Sequence, residues 1–449
     1  MIVTRLAVAL TRWSARYIPS AFSIACLLTA ITVVLGMTLG EAKALDVVRA
    51  WGDGFWTLLR FGMQMCLIVL AGYVVAVAPP VRRALSFVAG LPRSDTGAVV
   101  AMAMISMTLA WVHWGLGLVA GAVTVGHVAR QNPKADYRLL VAASYFGLGA
   151  TWHAGLSGSV PLLLATSNNF LIKEGIIAQV VPVDETLLMP FNLIFTPLVM
   201  VVLSALAALL HPKQEDRVTI EATAAAKLTE HESPEKPDKL TPALWLEHSP
   251  LINLLMAGFG GVWLFQYFAK NGVLGGLNLN VINFVFLFGA ILLHWRPVSL
   301  TKAAAEGSSH LHGIVLQFPL YAGMFGIIQG TALAKKIADA FVSVASTRTL
   351  PLITFWYSGI LNYFVPSGGS KWAIEAPYLI DAARRRGVSV PRVAMAYAYG
   401  DMCTNLIQPF WAIPLLSVAK LEFKDILGFE AIAFIVYTAM ASIALTYFY

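Results

Sequence analysis

Trp152-His153-Ala154-Gly155-Leu156-Ser157-Gly158-Ser159-Val160-Pro161 interrupts one long apolar stretch of this chain, and Val365-Pro366-Ser367-Gly368-Gly369-Ser370-Lys371-Trp372 interrupts another. A membrane span is normally an unbroken helix, because unpaired backbone groups are costly in hydrocarbon. Irregular backbone at that depth is tolerated where it lines a cavity, and a pair of breaks in two halves points to the substrate site of a transporter. The two elbows therefore predict an all-α polytopic membrane protein with re-entrant hairpins and broken helices.

Composition agrees. Of the 449 residues, 58% are hydrophobic and only 12% charged, whereas soluble domains carry about 25% charged residues. At roughly 20 residues per span, the length allows about ten to twelve crossings. The net charge of +7 does not imply nucleic acid, because the basic residues sit in short loops, where they orient a membrane protein. Cys26, Cys66 and Cys403 all lie in apolar stretches without metal-ligand spacing, so they read as small buried side chains.

Apolar runs at 18–38, 55–78, 97–112, 115–129, 139–171 and 187–210 form an N-terminal half, residues 1–210. A polar segment, 211–249, contains Glu232-Ser233-Pro234-Glu235-Lys236-Pro237-Asp238 and reads as a flexible cytoplasmic linker. The C-terminal half, 250–449, has runs at 250–268, 279–295, 311–330, 350–365, 370–383, 393–419 and 428–448, with a short amphipathic segment at 331–348. Met1 to Arg16 is a basic amphipathic start without a cleavage pattern. Arg5, Arg12 and Arg16, then Arg82, Arg83 and Arg93, then Arg130, Lys134 and Arg138, and finally Arg384, Arg385, Arg386 and Arg392 mark the cytoplasmic side. Each half carries an elbow followed by a proline, Pro161 or Pro377, and a polar-dotted apolar segment, His113-Trp114-Gly115-Leu116-Gly117 or Gly400-Asp401-Met402-Cys403-Thr404-Asn405. That arrangement is compatible with an inverted repeat.

The elbows supply candidate ligands. Ser157 and Ser159 offer hydroxyls, Gly155 and Gly158 allow close backbone approach, and a helix starting there would aim free N–H groups at a carboxylate. Tight packing through small residues is the competing reading. Trp152, His153 and the run Thr166-Ser167-Asn168-Asn169 favour a site. In the second elbow, Ser367, Gly368, Gly369, Ser370 and Trp372 play the corresponding part, and Lys371 and Glu375 share a helical face. Lys371 either pairs with Glu375 structurally or contacts an anionic substrate. Asp401, with Thr404 and Asn405 nearby, is an intramembrane carboxylate and, with Glu375, a candidate for coupling to H⁺ or to Na⁺. It could instead cap a half-helix. His113 and His153 read as hydrogen-bonded packing residues before proton carriers. No nucleophile elbow in a strand–turn–helix context, Walker sequence, dinucleotide fingerprint or HExxH occurs. An ion gradient is thus the expected energy source, with no cofactor, no resident metal and no enzymatic activity. An intramembrane enzyme using His153 and Ser157, a passive channel and a sensor are the rival classes.

The chain resembles the bacterial short-chain fatty acid transporter family, within the ion-transporter superfamily. The resemblance rests on Trp51-Gly52-Asp53-Gly54-Phe55-Trp56, Met63-Gln64-Met65, Trp114-Gly115-Leu116-Gly117-Leu118, Trp152 to Ser159, Gln317-Phe318-Pro319-Leu320-Tyr321-Ala322-Gly323, Phe364 to Gly369 and Gln408-Pro409-Phe410-Trp411-Ala412-Ile413-Pro414. It implies uptake of short monocarboxylates such as butyrate or acetoacetate by H⁺- or Na⁺-coupled symport across the bacterial inner membrane. It also implies two inverted repeats, an elevator-type motion and a homodimer in the lipid bilayer. The chain departs from the family pattern at Ser370 and Lys371, where the family has Gly and Gln, at Glu375, where it has Gln, and at Met402-Cys403, where it has Gln-Trp. Two neutral amides have become an opposite-charge pair, which could suit a more polar or more anionic acid.

Overall fold

A computed structural model describes residues 19–221 and 241–449, with 225, 237 and 239 between them. Arg5, Arg12, Arg16 and most of the expected linker core, Glu232 to Lys236 included, lie outside the described residues. Among the described residues all regular structure is helical.

The first half opens with α1 (Ala21–Thr38), a short amphipathic α2 (Ala44–Gly54), a long α3 (Leu59–Val77) and a second amphipathic α4 (Pro79–Ala89). A helical hairpin follows, α5 (Asp95–Val112) and α6 (Trp114–Gln131), whose turn is the single extended residue His113. Next comes a broken helix: α7 (Tyr137–Ala150), a 3₁₀ turn at Trp152–Ala154, and α8 (Ser159–Leu164). The one-turn α9 (Phe170–Lys173) leads to α10 (Pro190–Leu209).

The second half begins with α11 (Pro242–His248) and α12 (Leu251–Asn271). The order of the first half then recurs. It runs through α13 (Leu279–His294), amphipathic α14 (Pro297–Ser308), long α15 (His312–Gly330) and amphipathic α16 (Leu333–Val344). A hairpin of α17 (Leu350–Phe364) and α18 (Gly368–Arg385) comes next. The second broken helix is α19 (Val390–Cys403), a 3₁₀ turn at Thr404–Ile407, and α20 (Ile413–Ala419), and α21 (Phe423–Tyr447) closes the fold.

Contacts are reciprocal between the halves. Helix α3 packs on α13 and α14, while α15 packs on α1 and α2. Helix α6 meets α20 and α18 meets α8, and each long broken-helix segment touches the break of the other. The two halves are structural repeats, with α12 added ahead of the second.

This corrects the pairing of the elbows. The first elbow is the break between α7 and α8, and its counterpart is the break after α19. The second elbow is the tip of the α17–α18 hairpin, and its counterpart is His113. Glycine and serine density marks both kinds of interruption, so pairing the two richest ones matches different elements. The beginning of the polar segment also departs from a free linker. Arg217 reaches Asp95 at 3.0 Å, and the Val218 N–H donates to Asp136 at 2.8 Å. Asp136 simultaneously accepts from the Leu139 N–H at the start of α7, so this stretch is fastened to the core. Cys66 and Cys403 are buried as expected, whereas Cys26 is exposed on the outer face of α1.

Apolar burial concentrates where the hairpins and broken helices interlock, around Tyr145, Phe355, Trp372 and Tyr397. Among the described residues six helices, α3, α5, α10, α12, α15 and α21, are long and apolar enough to cross a membrane. Their outward aliphatic and aromatic side chains, such as Phe259 and Phe265 on α12, suit a lipid environment.

Candidate functional site

The first elbow is knitted to the tip of the neighbouring hairpin. The Leu156 N–H donates to the Trp111 carbonyl at 2.7 Å, and Ser157 Oγ accepts from the Trp114 N–H at 2.8 Å. A Cβ on Gly155 would collide with the Trp111 carbonyl oxygen, so glycine is required there for packing. Ser157 is thus spent on holding α6. Two residues on, Ser159 Oγ lies 3.1 Å from His153 Nε2.

The second elbow reaches into the same place. Gly368 is wedged so tightly that a Cβ would come within 2.7 Å of both Asp401 Oδ2 and His153 Cε1. Its carbonyl accepts from the Tyr397 hydroxyl at 2.7 Å, and the Pro366 carbonyl accepts from Trp411 Nε1 at 2.9 Å. Ser370 Oγ donates to Ser367 Oγ at 2.5 Å. The Ser367 side chain makes no cap bond to α18, which leaves first-turn N–H groups unpaired by the helix itself.

Behind the tip runs a fully enclosed chain of ionisable groups. Glu375 Oε1 lies 3.3 Å from Lys371 Nζ, and Lys371 Nζ lies 3.3 Å from Asp401 Oδ1. Asp401 Oδ2 lies 2.9 Å from His153 Nδ1. Lys371 also donates to the Ser358 hydroxyl at 2.9 Å and carbonyl at 3.2 Å, and sits 4.1 Å from the Tyr397 ring centroid. The Val160 N–H points at His153 Nε2 at 3.2 Å. A backbone N–H can only donate, so Nε2 accepts and the imidazole proton is on Nδ1, facing Asp401. His153 is therefore neutral in this arrangement. Lys371 then stands against two carboxylates, and Glu375 makes no hydrogen bond with either oxygen.

In front of the tip lies a cavity of about 240 Å³. Ser159, Ser367, Gly368, Gly369, Asn362 and Asn405 give it polar edges, while Met65, Trp114, Trp152, Phe318, Phe410 and Trp411 give it apolar walls.

The expected site residues divide accordingly. Trp152, Ser159, Ser367, Gly368, Gly369 and Asn405 line the cavity. His153, Lys371, Glu375 and Asp401 form the ionic chain behind it. Ser157, Gly158, Ser370, Trp372 and Thr404 are buried supports around both. Thr404 donates to the Gly359 carbonyl at 3.0 Å and accepts from Asn362. Thr166 is elsewhere, accepting from the Leu279 N–H at the start of α13. Asn362 was not foreseen, although an amide within Ile360-Leu361-Asn362-Tyr363-Phe364 is a visible signal. It donates to Asn405 Oδ1 at 2.9 Å.

A repeat-built helical membrane protein with paired hairpins, two broken helices and a cavity where they converge belongs to the class of transporters. Within that class, the family model for short chain fatty acid transporters matches residues 2–448, and the chain belongs to that family. Relatives from Escherichia coli K12 and Haemophilus influenzae, each provisionally described as a short-chain fatty acid transporter, are 34% identical over 447 and 452 residues, covering 100% of both chains. The fold is also similar to two solved structures, each 15% identical in sequence. The Alcanivorax borkumensis YdaH transporter, described as having an unusual topology, has a TM-score of 0.61 over 95% of this chain and 98% of that one. Neisseria gonorrhoeae MtrF, assigned to a class of antimetabolite efflux pumps, has a TM-score of 0.56 over 98% and 97%. The chain is a multi-pass membrane transporter of a small molecule, not an enzyme.

Proposed function

We propose that this protein is a symporter that takes up short-chain monocarboxylates, such as butyrate or acetoacetate, across the bacterial inner membrane together with H⁺. The observation that carries the reading is the division of labour at the α18 tip. A cavity with hydroxyls and glycine backbone on one edge and aromatic walls on the other suits a small amphiphilic acid. The substrate carboxylate would be held by Ser367, Ser159 and the N–H groups of Gly368 and Gly369 at the start of an 18-residue helix. The short tail would lie against Trp152, Trp411, Met65 and Phe318.

The ionic chain suits coupling. With His153 neutral, Lys371, Asp401 and Glu375 together carry one surplus negative charge when all three are ionised. Burying that charge unbalanced is costly, so the chain has an affinity for one cation. H⁺ on Glu375 or Asp401 would neutralise it without a coordination shell, and Na⁺ is the alternative. Lys371 is enclosed by Glu375, Asp401 and Ser358 and is absent from the cavity wall, which favours the structural-pair reading over direct substrate contact. No cofactor enters this scheme.

Movement of the interlocked hairpins and broken helices against α1–α4 and α13–α16 would give the elevator-type step. Helix α12 packs chiefly on α13 and exposes an apolar face, a fit for the contact surface of a homodimer.

The test is uptake of radiolabelled butyrate into proteoliposomes under imposed proton or sodium gradients, with acetoacetate and a dicarboxylate as competitors. Saturable uptake driven by a proton gradient and blocked by acetoacetate is the expected result. Uptake driven only by sodium would replace the ion. Preference for the dicarboxylate would replace the substrate, and no flux of any acid would sink the reading.

A further inference from the structure

Helix α21, which packs on α7 and on the 3₁₀ turn at Thr404–Ile407, carries a carboxyl group that the mechanism above does not use. Glu430 is 0% exposed, and neither of its side-chain oxygens has a hydrogen-bond partner. Among the described residues no ion pair or hydrogen bond to a Lys, Arg or His reaches it. The titratable group in electrostatic contact with it is Tyr145 on α7, whose hydroxyl is also buried and unpartnered. The other buried carboxylate outside the site, Asp136, is by contrast saturated by Arg138 and by the Leu139 and Val218 N–H groups.

An ionised carboxylate without a partner is not sustained in such a place, whereas the neutral acid is. As a packing element the acid offers nothing that glutamine or methionine would not. Ionisable residues inside a membrane are functional candidates for that reason. The two segments packed against α21, α7 and the 3₁₀ turn, also border the cavity. Leu148, one turn beyond Tyr145, and Asn405, within the 3₁₀ turn, both line it, and Asn405 Nδ2 donates to the Leu148 carbonyl at 2.8 Å. A shift of these two segments on substrate binding would move Tyr145 and the turn relative to Glu430.

We infer that Glu430 is a second proton-carrying site, holding H⁺ as a neutral carboxylic acid in this conformation and exchanging it with water as the carrier moves. The step is a bare proton transfer. H⁺ from the side of entry binds the carboxylate, crosses on the neutral acid, and leaves to the opposite side, returning the group to a single negative charge. This rests on the proton-coupled reading above, and the experiment separates the two.

The proton-to-butyrate ratio is measured from reversal potentials in proteoliposomes for the wild type, E430Q and D401N. In parallel, infrared difference spectra of the purified protein with and without butyrate follow the carbonyl stretch of protonated carboxyl groups. E430Q is expected to keep butyrate uptake with one proton fewer per substrate and to lose a butyrate-sensitive carboxylic-acid band that the wild type shows. A wild-type ratio and band pattern in E430Q would overturn the second site while leaving the coupling reading in place. Wild-type uptake indifferent to the proton gradient would overturn both. If E430Q does not reach the membrane, E375Q protein labelled with carbon-13 glutamate substitutes, because Glu430 is then the remaining fully buried glutamate among the described residues. A label-shifted band responding to butyrate supports the inference, and its absence overturns it.

Discussion

Lys371 shows how a single side chain can be decided by its neighbours. Two negative partners at 3.3 Å and a hydroxyl at 2.9 Å occupy its ammonium group. Removing it alone leaves buried carboxylates facing each other, a loss on the order of 3–5 kcal/mol. K371Q should therefore melt markedly earlier in detergent. K371Q/E375Q, which puts two neutral amides in place of the ion pair, should recover most of that loss, since cation and anion leave together. Equal melting of the single and double variants would break this account. The serines separate by the same logic. S157A strips the acceptor from the buried Trp114 N–H, costing about 1–3 kcal/mol of stability, with little change in the apparent affinity for substrate. S159A and S367A should instead raise the uptake KM, each by roughly tenfold if a charge-assisted bond of about 1.4 kcal/mol is lost. Measuring KM and thermal stability for all three tests whether hydroxyls of one residue type fall into these two roles.

At the scale of elements, the tip of the α17–α18 hairpin is fixed by the absence of a side chain at Gly368. A Cβ there would press on Asp401, His153 and Trp152 at once, at 2.7–2.8 Å. Backing the tip out of that wedge costs about 1–3 kcal/mol, a loss of the seated state of roughly ten- to hundredfold. G368A should insert and fold normally yet lose most butyrate uptake, as a transport assay alongside size-exclusion chromatography would reveal. Uptake unchanged in G368A would mean the tip need not seat as described. Much of this element was legible in the sequence. Val365 to Trp372 breaks an apolar run with proline, glycine and serine, which no continuous helix accommodates cheaply. The long apolar helices were readable for the same reason, because hydropathy integrates over a whole span. The first hairpin tip was legible as the gap between the runs 97–112 and 115–129, but not as the counterpart of the second elbow, because one extended histidine turns the chain where the second tip uses a proline, glycine and serine run. The second break was obscure as well, since Asn405, in the turn after α19, is held by side-chain bonds to partners far away in sequence, Leu148 and Asn362. The short amphipathic helices α2, α4 and α14 were likewise missed, being too brief and too polar to register as spans. Trp114 and Asn362 reach the cavity only through tertiary packing, and Glu430 stood out only once its two empty oxygens were visible.

For the whole molecule, the two repeats divide into an interlocked core and the pairs of long and amphipathic helices around it. Phe61 on α3 and Gly369 at the hairpin tip face each other across that division, so closely that a Cβ on Gly369 would run into the phenyl ring. If transport requires the core to slide past α3, joining these positions must arrest it. If the hairpin alone opens while the core stays still, a tether with slack should be tolerated. The experiment is F61C/G369C in a background with Cys26, Cys66 and Cys403 replaced, linked by thiol-reactive reagents of increasing length. An elevator predicts that short and intermediate linkers abolish butyrate uptake, because the pair must separate by more than a side chain's reach. Local gating predicts recovery of uptake as soon as the linker exceeds the motion of one hairpin. The length at which uptake returns therefore measures the amplitude of the step, and with it which parts of the repeat move as one body.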